Sequence, residues 1–343
     1  MVNTITKQDL LVVWDENIKK YHAEANFLQS SFWCLTNEAV GHKAIALDFD
    51  AGKCAALCII KAARRGRYLE VPGGPLIDWS DKNSVAEMMG ELKKAAKANK
   101  CAFVRLRPQL LNTSGNLKLL KNLGLKPSPM HLHAEHTVII DLKKSENELL
   151  GDMRRQTRYE VRRAEKLKLK VDSLSADNKH FKELLDEFYK TQQQTASRQH
   201  FIPPSKKDLE AECGAFGKNA SLYVARTEEG EPVAYGLILK YGKEADYFEA
   251  ASTDLNRKLP GAYALLWQAM KDLKAEGYER FNLWGIAPAG QPNHRYAKVT
   301  TFKTGFGGEI VNFVPAHDLV ISKVKYLPDL LIETARKHHR HLG

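Results

Sequence analysis

The sequence predicts an α+β fold built from two tandem domains of similar plan. Its 343 residues are enough for one large or two medium domains. Segments with the two-residue alternation of strands are interleaved with segments of helical spacing. The order of elements also repeats: VPGGP, a helix and CAFVRLRP in the first half are matched by LPGA, a helix and RFNLWGI in the second. Each half therefore resembles a meander of antiparallel strands followed by a turn, a helix and a strand.

The first half begins with helices. Apolar residues at helical spacing predict a helix over Lys7–His22, and a short helix is expected at Phe27–Leu35. Apolar runs separated by glycines predict strands, at Lys43–Phe49, Cys54–Ala62 and Tyr68–Val71. Ser80 and Asp81 are both good N-caps for a helix that ends near Asn99. A strand, a helix and a strand complete this half, at Ala102–Leu106, Asn116–Leu123 and Glu135–Leu142.

The second half opens with the basic segment GDMRRQTRYEVRRAEKL, for which a single helix is predicted over Gly151–Leu167. Met153, Thr157, Val161 and Ala164 recur on the face that would pack on the domain. Further helices are expected at Asp177–Thr195, Ser205–Phe216 and Gly261–Glu276. The predicted strands are Lys170–Leu174, Ser221–Arg226, Pro232–Tyr241, Ala245–Ala251, Arg280–Trp284 and the segment TFKTGFGGEIVNFV at Thr301–Val314.

Composition and charge limit the class of protein. The chain is 43% hydrophobic and 27% charged, which is ordinary for a globular protein with a core. Its net charge of +11 favours a polyanionic partner such as tRNA, a phosphate or an anionic membrane face. Solvated lysines on a basic protein explain the same charge equally well. The five scattered cysteines favour a reducing compartment over a disulfide framework.

Location is also constrained by the sequence. Charged residues at Lys7, Asp9, Asp15 and Glu16 interrupt any apolar signal segment. The longest apolar run, Cys54–Ile60, is too short to cross a bilayer. A cytoplasmic protein is therefore expected.

Two segments carry a resemblance to a known family. The first matches a helix pattern M-R-x-x-x-R-Y-x-x-R-x-A, at Met153, Arg154, Arg158, Tyr159, Arg162 and Ala164. The second matches F-K-x-x-F-G-G-E, at Phe302, Lys303, Phe306, Gly307, Gly308 and Glu309. Together and in this order they resemble the signature of the Fem family (FemABX), aminoacyltransferases that build peptidoglycan cross-bridges from aminoacyl-tRNA.

The resemblance implies two tandem GNAT-like acyltransferase domains with mixed, mostly antiparallel sheets. The first domain, which would bind the precursor, would comprise 1–145 plus 316–343, because in compact members the last strand and helix return to it. The second, catalytic and tRNA-facing, would be 146–315. Larger members carry a coiled-coil arm for which this chain has no room, so it resembles the compact type.

The resemblance also assigns roles in the second domain. Lys303 would lie near the aminoacyl ester, where positive charge stabilises the oxyanion of aminolysis, and Phe302 would shape the pocket. The sequence alone equally allows a lysine on an exposed strand face. Arg154, Arg158 and Arg162 line one helix flank at i, i+4 and i+8 and would bind phosphates of tRNA or precursor. The alternative is a solvated amphipathic helix.

Two more residues of this domain are predicted to bind substrate. Thr195, Arg198 and Phe201 match a loop motif T-x-x-R-x-x-F whose arginine binds phosphate in relatives. Tyr247 lies in a strand where relatives often read YLYGxS, and here Glu249 and Ala250 replace the second Tyr and the Gly.

The first domain resembles the family more loosely. Trp33 completes a Q-S-x-x-W element, but Asn37 replaces the basic residue often found four positions later. Arg105 and Arg107 lie at the end of a strand, and Arg107 replaces an acid considered a candidate general base in relatives. Trp33, Arg105 and Arg107 are predicted to contact the substrate, and the reaction must either do without that acid or recruit another group.

Metal and coenzyme sites are not expected. His131, His133 and His136 lack a cysteine or carboxylate set that would complete a zinc site. RKLPGA at Arg257–Ala262 is a degraded version of the loop with which GNAT enzymes bind acetyl-CoA, and Pro260 removes one of its N–H donors.

The resulting prediction is a tRNA-dependent aminoacyltransferase that acts on the stem-peptide amine of a peptidoglycan precursor, either UDP-MurNAc-pentapeptide or lipid II. It would use no cofactor beyond aminoacyl-tRNA as co-substrate, would be monomeric, and would contact the inner membrane face peripherally. The alternatives are an N-acyltransferase that uses acyl-CoA or acts on a protein N-terminus, and a non-catalytic RNA-binding relative.

Overall fold

The computed structural model describes residues 13–63, 66–130, 133–199, 202–292, 294 and 296–339. Contacts between residues divide the chain into two compact units. The first contains the residues up to His136 together with 287–295 and the chain from Val311 onwards, and the second contains Thr137–Ile286 and Tyr296–Ile310. The domain bounds drawn from the sequence, 1–145 plus 316–343 and 146–315, remain a prediction.

Among the residues described, the first unit contains five helices and all six strands of the first sheet. Its helices are α1 (Asp15–Tyr21), α2 (Ser31–Ala39), α3 (Lys82–Ala98), α4 (Ser114–Asn122) and the last helix of the chain, Lys323–His339. Its sheet is formed by β1 (Lys43–Asp48), β2 (Ala55–Ala63), β3 (Gly66–Gly73), β4 (Cys101–Pro108), β5 (Lys126–Pro127) and a late strand, His317–Val320. Residues 1–12, where the sequence predicts the start of the first helix, lie outside the described part.

The first sheet combines an antiparallel meander with one parallel pair. β1, β2 and β3 pair antiparallel, whereas β3 and β4 pair parallel. Helix α3 makes the crossover between them, and Asp81 caps it by accepting hydrogen bonds from the amides of Asn83 and Ser84. One face of α3 is buried against the sheet, at Val85, Met88, Met89, Leu92 and Ala96.

The second unit repeats this plan with more helices. Its helices are α5 (Glu146–Asp152), α6 (Arg155–Lys166), α7 (Phe181–Gln199), α8 (Lys206–Phe216), α9 (Gly261–Ala275) and α10 (Ala297–Lys303), and the helix at Lys323–His339 becomes α11. The strands are β6 (His136–Asp141), β7 (Lys170–Ser175), β8 (Ala220–Arg226), β9 (Pro232–Tyr241), β10 (Glu244–Ser252), β11 (Arg280–Gly285) and β12 (Glu309–Asn312), so that the strand at His317–Val320 is β13.

The second sheet has the order β12-β6-β11-β10-β9-β8-β7. β8, β9 and β10 form the antiparallel meander, β10 and β11 pair parallel, and α9 makes the crossover. Apolar residues of α9, among them Leu265, Met270 and Leu273, pack with Ile238 and Phe281 in the core. The repeat predicted from the sequence is therefore confirmed, and with it the α+β class with mixed, mostly antiparallel sheets.

Three sequence predictions about elements were wrong. The strand predicted at Glu135–Leu142 as the last of the first half is β6, and it lies in the second sheet between β11 and β12. In the first sheet β13 and β5 follow β4. The single helix predicted over Gly151–Leu167 is interrupted at Met153, which is extended (φ −66°, ψ 145°) and buried.

The third error concerns Thr301–Val314, predicted as a strand. Its first residues complete helix α10, a 3-10 turn follows at Thr304–Phe306, and only Glu309–Asn312 is a strand. Tertiary packing of Phe302 and Phe306 overrides the local preference here. Finally, no helix in the described part of the chain is long and apolar enough to span a lipid bilayer.

Candidate active site

The two segments that carry the family resemblance meet in the second unit. The backbone amide of Arg154 donates a hydrogen bond to the carbonyl of Gly305 at 2.9 Å. A Cβ atom on Gly305 would overlap Thr157 Oγ1 and lie 2.7 Å from Arg154 Nη2. A side chain at position 305 would therefore displace Thr157 or Arg154, because the turn of one segment lies directly against the N-terminus of α6 in the other.

Lys303 is the last residue of α10 and lies two positions before Gly305. Its side chain is buried, with 8% of the residue exposed. Its Nζ donates to the carbonyl of Gly285 at 2.9 Å and lies 5.9 Å from the centre of the Tyr247 ring. The alternative of a lysine on an exposed strand face is therefore wrong. Lys303 is held by the end of β11 on one side and by an aromatic face of β10 on the other.

The pKa of Lys303 is shifted by burial and by a neighbouring carboxylate. Desolvation lowers the pKa of Lys303 from 10.5 to about 7, and the negative charge of Glu249 opposes this shift. Burial in turn raises the pKa of Glu249 from 4.5 to about 7, against the effects of Lys303 and of a hydrogen bond from Gln192. Both groups therefore titrate near neutral pH, so a small change in pH or in their surroundings alters the charge on each.

Phe302 belongs to an aromatic cluster beside the lysine. Its ring makes edge contacts with Tyr263, at 5.0 Å between centroids, and with Phe306, at 5.3 Å. Tyr263 and Phe306 stack at 5.7 Å. Such pairs stabilise a rigid wall, which is consistent with the predicted pocket-shaping role of Phe302. That role itself remains a prediction.

Tyr247 is positioned by a close approach within the sheet. A Cβ on Gly236 would overlap the Tyr247 ring, so the glycine of β9 leaves the space that the ring fills. A β-bulge lies between Tyr247 and Glu249 on β10. Bulges re-aim neighbouring side chains and are frequent beside active sites. Tyr247 thus lies under Lys303, while Glu249 contacts helix α7.

The arginines of the basic helix have different surroundings. Arg154 donates to the carbonyl of Thr301, and Arg158 donates to the carbonyls of Leu150, Gly151 and Met153. Arg162 is exposed and has no hydrogen bond or ion pair among the described residues. Arg154 and Arg158 therefore bind backbone carbonyls of this unit. Of the three arginines, Arg162 is the one whose guanidinium is available to bind a phosphate. The buried face predicted for this segment is confirmed, at Met153, Thr157, Val161 and Ala164.

Arg198 was predicted in a loop, but it lies in the last turn of α7. Its guanidinium donates to Thr195 Oγ1 at 3.2 Å and to the carbonyl of Ser252, and it pairs with Asp254 at 3.4 Å. The pair with Asp254 is solvent-exposed on the carboxylate side, so an anion can compete for Arg198. Phe201, the last residue of the matching motif, lies outside the described residues.

In the first unit, Trp33 and Arg107 both lie near His133. The Trp33 ring makes an edge contact with His133 at 5.8 Å, and Glu70 lies 3.6 Å from His133 Nε2. Burial lowers the pKa of Arg107 to about 10, although Glu135 favours its charged form. Phe313 covers the guanidinium at 5.5 Å.

Lys61 is a residue that sequence reasoning missed in this unit. Its Nζ donates to Asn37 Oδ1 at 2.8 Å. The ammonium of Lys61, from β2, therefore lies beside Asn37, which replaces the basic residue often found at this position in the family. Only the pairing of β2 with its neighbours places Lys61 there, so no local motif identifies it.

Arg105 is bound within the first unit rather than exposed. Its guanidinium forms hydrogen bonds with Asp318 at 2.8 and 2.9 Å and with Glu333 at 3.2 and 2.7 Å. Despite burial, these carboxylates raise the pKa of Arg105. The prediction that Arg105 binds substrate is untested, and the structure gives its charge two other partners.

Two further predictions concern metal and coenzyme sites. His133 faces Glu70, His136 Nδ1 lies 2.7 Å from Asn312 Oδ1, and His131 lies outside the described residues. No group of three potential metal ligands occurs in the described ranges. At the N-terminus of α9, Asn256 Oδ1 accepts from the amide of Ala262 at 3.0 Å. That amide, part of the degraded GNAT loop, already has a partner.

A family model described as FemAB matches residues 14–231 and 223–334. Aminoacyltransferase FemA of Staphylococcus aureus strain MRSA252 is 20% identical over 353 residues, covering 79% of this chain and 84% of the relative. The FemA of strain NCTC 8325 / PS 47 has the same identity and coverage.

Solved structures share the fold. The crystal structure of FemX superposes with a TM-score of 0.82 at 18% identity, covering 97% of this chain and 100% of that one. A tandem GNAT protein from the clavulanic acid biosynthesis pathway gives a TM-score of 0.53 at 8% identity, covering 93% and 95%. These likenesses confirm the predicted arrangement of two tandem GNAT-like domains.

Proposed function

The chain belongs to the FemAB family, and we propose that it transfers an amino acid from aminoacyl-tRNA to the stem-peptide amine of a peptidoglycan precursor. The Staphylococcus aureus relatives, covered to 84% of their length, are aminoacyltransferases by name. The observation that carries the proposal is the buried Lys303, held between Gly285 and Tyr247 beside the aromatic cluster.

The chemistry suits such a site. Aminolysis of an ester passes through a tetrahedral intermediate with negative charge on the former carbonyl oxygen. A cation fixed in a site that excludes water stabilises that charge far better than solvent does, because little reorganisation is needed during the reaction. The donor ester is already activated, so the proposed transfer requires neither a metal nor an organic cofactor.

The basic surface supports a phosphate-rich donor. Arg162 is exposed on α6, the helix whose N-terminus contacts the turn after Lys303. Arg198 is paired with an exposed carboxylate that a phosphate can displace. Cytoplasmic location, a monomeric state and peripheral contact with the inner membrane face remain predictions from the sequence.

Use of acyl-CoA, the first alternative, is disfavoured by the structure of the degraded loop. GNAT enzymes bind pyrophosphate with free amides at a helix N-terminus. Here Pro260 lacks an amide hydrogen, and Asn256 already accepts from the amide of Ala262. The second alternative is a non-catalytic RNA-binding protein. Burying a lysine beside Glu249 costs folding free energy, and RNA binding alone does not require such a lysine.

The proposal is tested by incubating the protein with radiolabelled aminoacyl-tRNA pools and either the UDP-linked or the lipid-linked precursor. We expect label to move from tRNA to at least one precursor. Binding of tRNA without transfer to either precursor would support the RNA-binding alternative instead. Thermal stabilisation by CoA but not by a nucleotide-linked muropeptide would support the acyl-CoA alternative.

A further inference from the structure

Glu249 lies in a buried polar cluster that has more hydrogen-bond acceptors than donors. Gln192 of α7 donates from Nε2 to Glu249 Oε2 at 2.8 Å. Gln192 is fully buried, and its own Oε1 has no hydrogen-bond partner among the described residues. A buried acceptor without a donor is costly. The cluster therefore lacks a donor at Gln192 Oε1, on the side chain that binds the Glu249 carboxylate.

Glu212 of α8 adds to this shortage of donors. It is 7% exposed, and its Oε2 also lacks a partner within the described ranges. Burial, followed by the charges of Glu249 and Asp208, raises the pKa of Glu212 well above 4.5. Burial therefore favours the neutral form of the Glu212 carboxyl.

Lys303 does not fill the gap in this arrangement. Its ammonium donates to the carbonyl of Gly285, and no contact ion pair joins it to Glu249 in the described part of the chain. It acts on Glu249 through space. A second group with N–H donors and positive charge would therefore relieve the shortage of donors at Glu249 and Gln192. Gln192 is enclosed, whereas Glu249 is partly exposed and can meet an incoming molecule.

A primary ammonium group matches this deficit. It carries three N–H donors and a full positive charge, so it can bind the Glu249 carboxylate and the free Gln192 oxygen together. We propose that Glu249 and Gln192 Oε1 bind the primary ammonium of the acceptor substrate, and that Glu249 takes the proton that this nitrogen must lose before it attacks. This inference rests on the proposed aminoacyl transfer. Glu249 then serves as the general base, a role for which relatives have a candidate acid at the position of Arg107.

Every proton in this step is accounted for. The ammonium gives one proton to the Glu249 carboxylate, and the freed lone pair forms a bond with the ester carbonyl carbon. The carbonyl electron pair becomes the oxyanion stabilised by Lys303. When the intermediate collapses, the bond from carbon to the ribose oxygen breaks, and the second proton of the nitrogen passes to that oxygen. The products are an amide, a ribose hydroxyl and a neutral Glu249 that loses its proton to solvent.

Binding is tested with cadaverine, a diamine, and with 1,5-pentanediol as a neutral control of the same length. In protein labelled with ¹⁵N-glutamine, we expect cadaverine but not the diol to shift the side-chain amide signal of Gln192. Glu249→Gln should abolish the shift, whereas Glu212→Gln, a matched change from buried acid to amide, should retain it. No shift at saturating cadaverine, or an equal shift with the diol, overturns the ammonium site.

Kinetics test the proton transfer separately. Among the described residues, the titratable groups that interact with Glu249 are Lys303 from α10 and Glu212 from α8. With the wild-type protein, kcat should fall below about pH 7 as Glu249 becomes protonated. Glu249→Gln should lower kcat by roughly 10²- to 10⁴-fold, raise KM for the acceptor precursor, and remove this acid limb, while Glu249→Asp should recover part of the rate.

The two proposals can fail independently. If wild-type protein transfers and Glu249→Gln keeps kcat within threefold with an unchanged acid limb, the role of Glu249 is wrong and aminoacyl transfer stands. If wild-type protein transfers to neither precursor, the proposed function is wrong, and the cadaverine measurement alone decides whether the ammonium site exists.

Discussion

The backbone amide of Arg154 is bonded to the carbonyl of Gly305 at 2.9 Å, which joins the start of the basic helix α6 to the turn that follows Lys303. This contact explains why the two matching segments must occur together. Arg154 also donates through its side chain to Thr301, so the guanidinium and the amide fix α10 from two directions. The position of Lys303 depends on this junction.

The junction predicts the effect of Gly305→Ala. The added Cβ would overlap Thr157 Oγ1 and crowd the Arg154 guanidinium. We expect a loss of about 1–3 kcal/mol in the free energy of unfolding, as for other overpacked sites, measured by urea denaturation. Gly214→Ala in α8 is the control, because nothing lies within 4 Å of its added Cβ. Equal stability of the two variants would show that the junction tolerates a side chain.

Arg162 predicts the salt dependence of tRNA binding. Arg162→Ala should weaken binding and reduce the slope of log K against log salt by about 0.7–0.9, since one fewer phosphate is neutralised. Stability should not change, because the side chain has no partner among the described residues. Arg158→Ala is expected to destabilise the fold as well, since three carbonyls lose a donor. A slope unchanged by Arg162→Ala would identify α6 as a solvated surface helix.

Substitution of Arg105 distinguishes a structural role of this residue from a role in substrate binding. Arg105→Ala leaves Asp318, which is fully buried, and Glu333 without their cation. Breaking a buried pair in this way costs about 3–5 kcal/mol, so the free energy of unfolding should fall by that amount. Lys94→Ala, which removes the ion pair of an exposed lysine with Glu91, should leave the free energy of unfolding nearly unchanged. A stable Arg105→Ala protein with weaker precursor binding would restore the sequence prediction.

Lys303 also predicts a pH dependence of stability. Its pKa is about 7 in the folded protein and 10.5 in the reference state, so the unfolded chain binds more protons between these values. The contribution of Lys303 to stability therefore becomes less unfavourable as pH rises from about 7 towards 10.5. Lys303→Met should be more stable than wild type at pH 6.5, and this advantage should shrink by pH 9. Denaturation at a series of pH values measures it, and a constant difference would contradict the depressed pKa.

The sequence predicted the repeated plan well because its signals are local. Asp81 caps α3, and the apolar faces of α3 and α9 follow helical spacing. The errors concern elements decided by distant contacts. Phe302, Lys303 and Phe306 have strand-like neighbours, yet aromatic packing places Phe302 and Lys303 in a helix and Phe306 in the turn after it.

The candidate site was predictable only in part for the same reason. A motif identified Lys303, but nothing local connects Glu249 with Gln192, which lies 57 positions earlier in the chain. Glu249 was visible only as a departure from the family pattern. A carboxylate in place of an aromatic residue is the signal that, combined with the packing of α7 against β10, would have identified it.

The turnover of Lys303→Met tests the central claim most directly. Methionine keeps much of the apolar stem and removes the charge, so the variant should fold. We expect kcat for transfer from aminoacyl-tRNA to fall by roughly two to three orders of magnitude, with a small effect on precursor binding. A well-folded Lys303→Met protein that transfers at a near-normal rate would contradict the account, and the stabilising charge would then have to come from another cation such as Arg198.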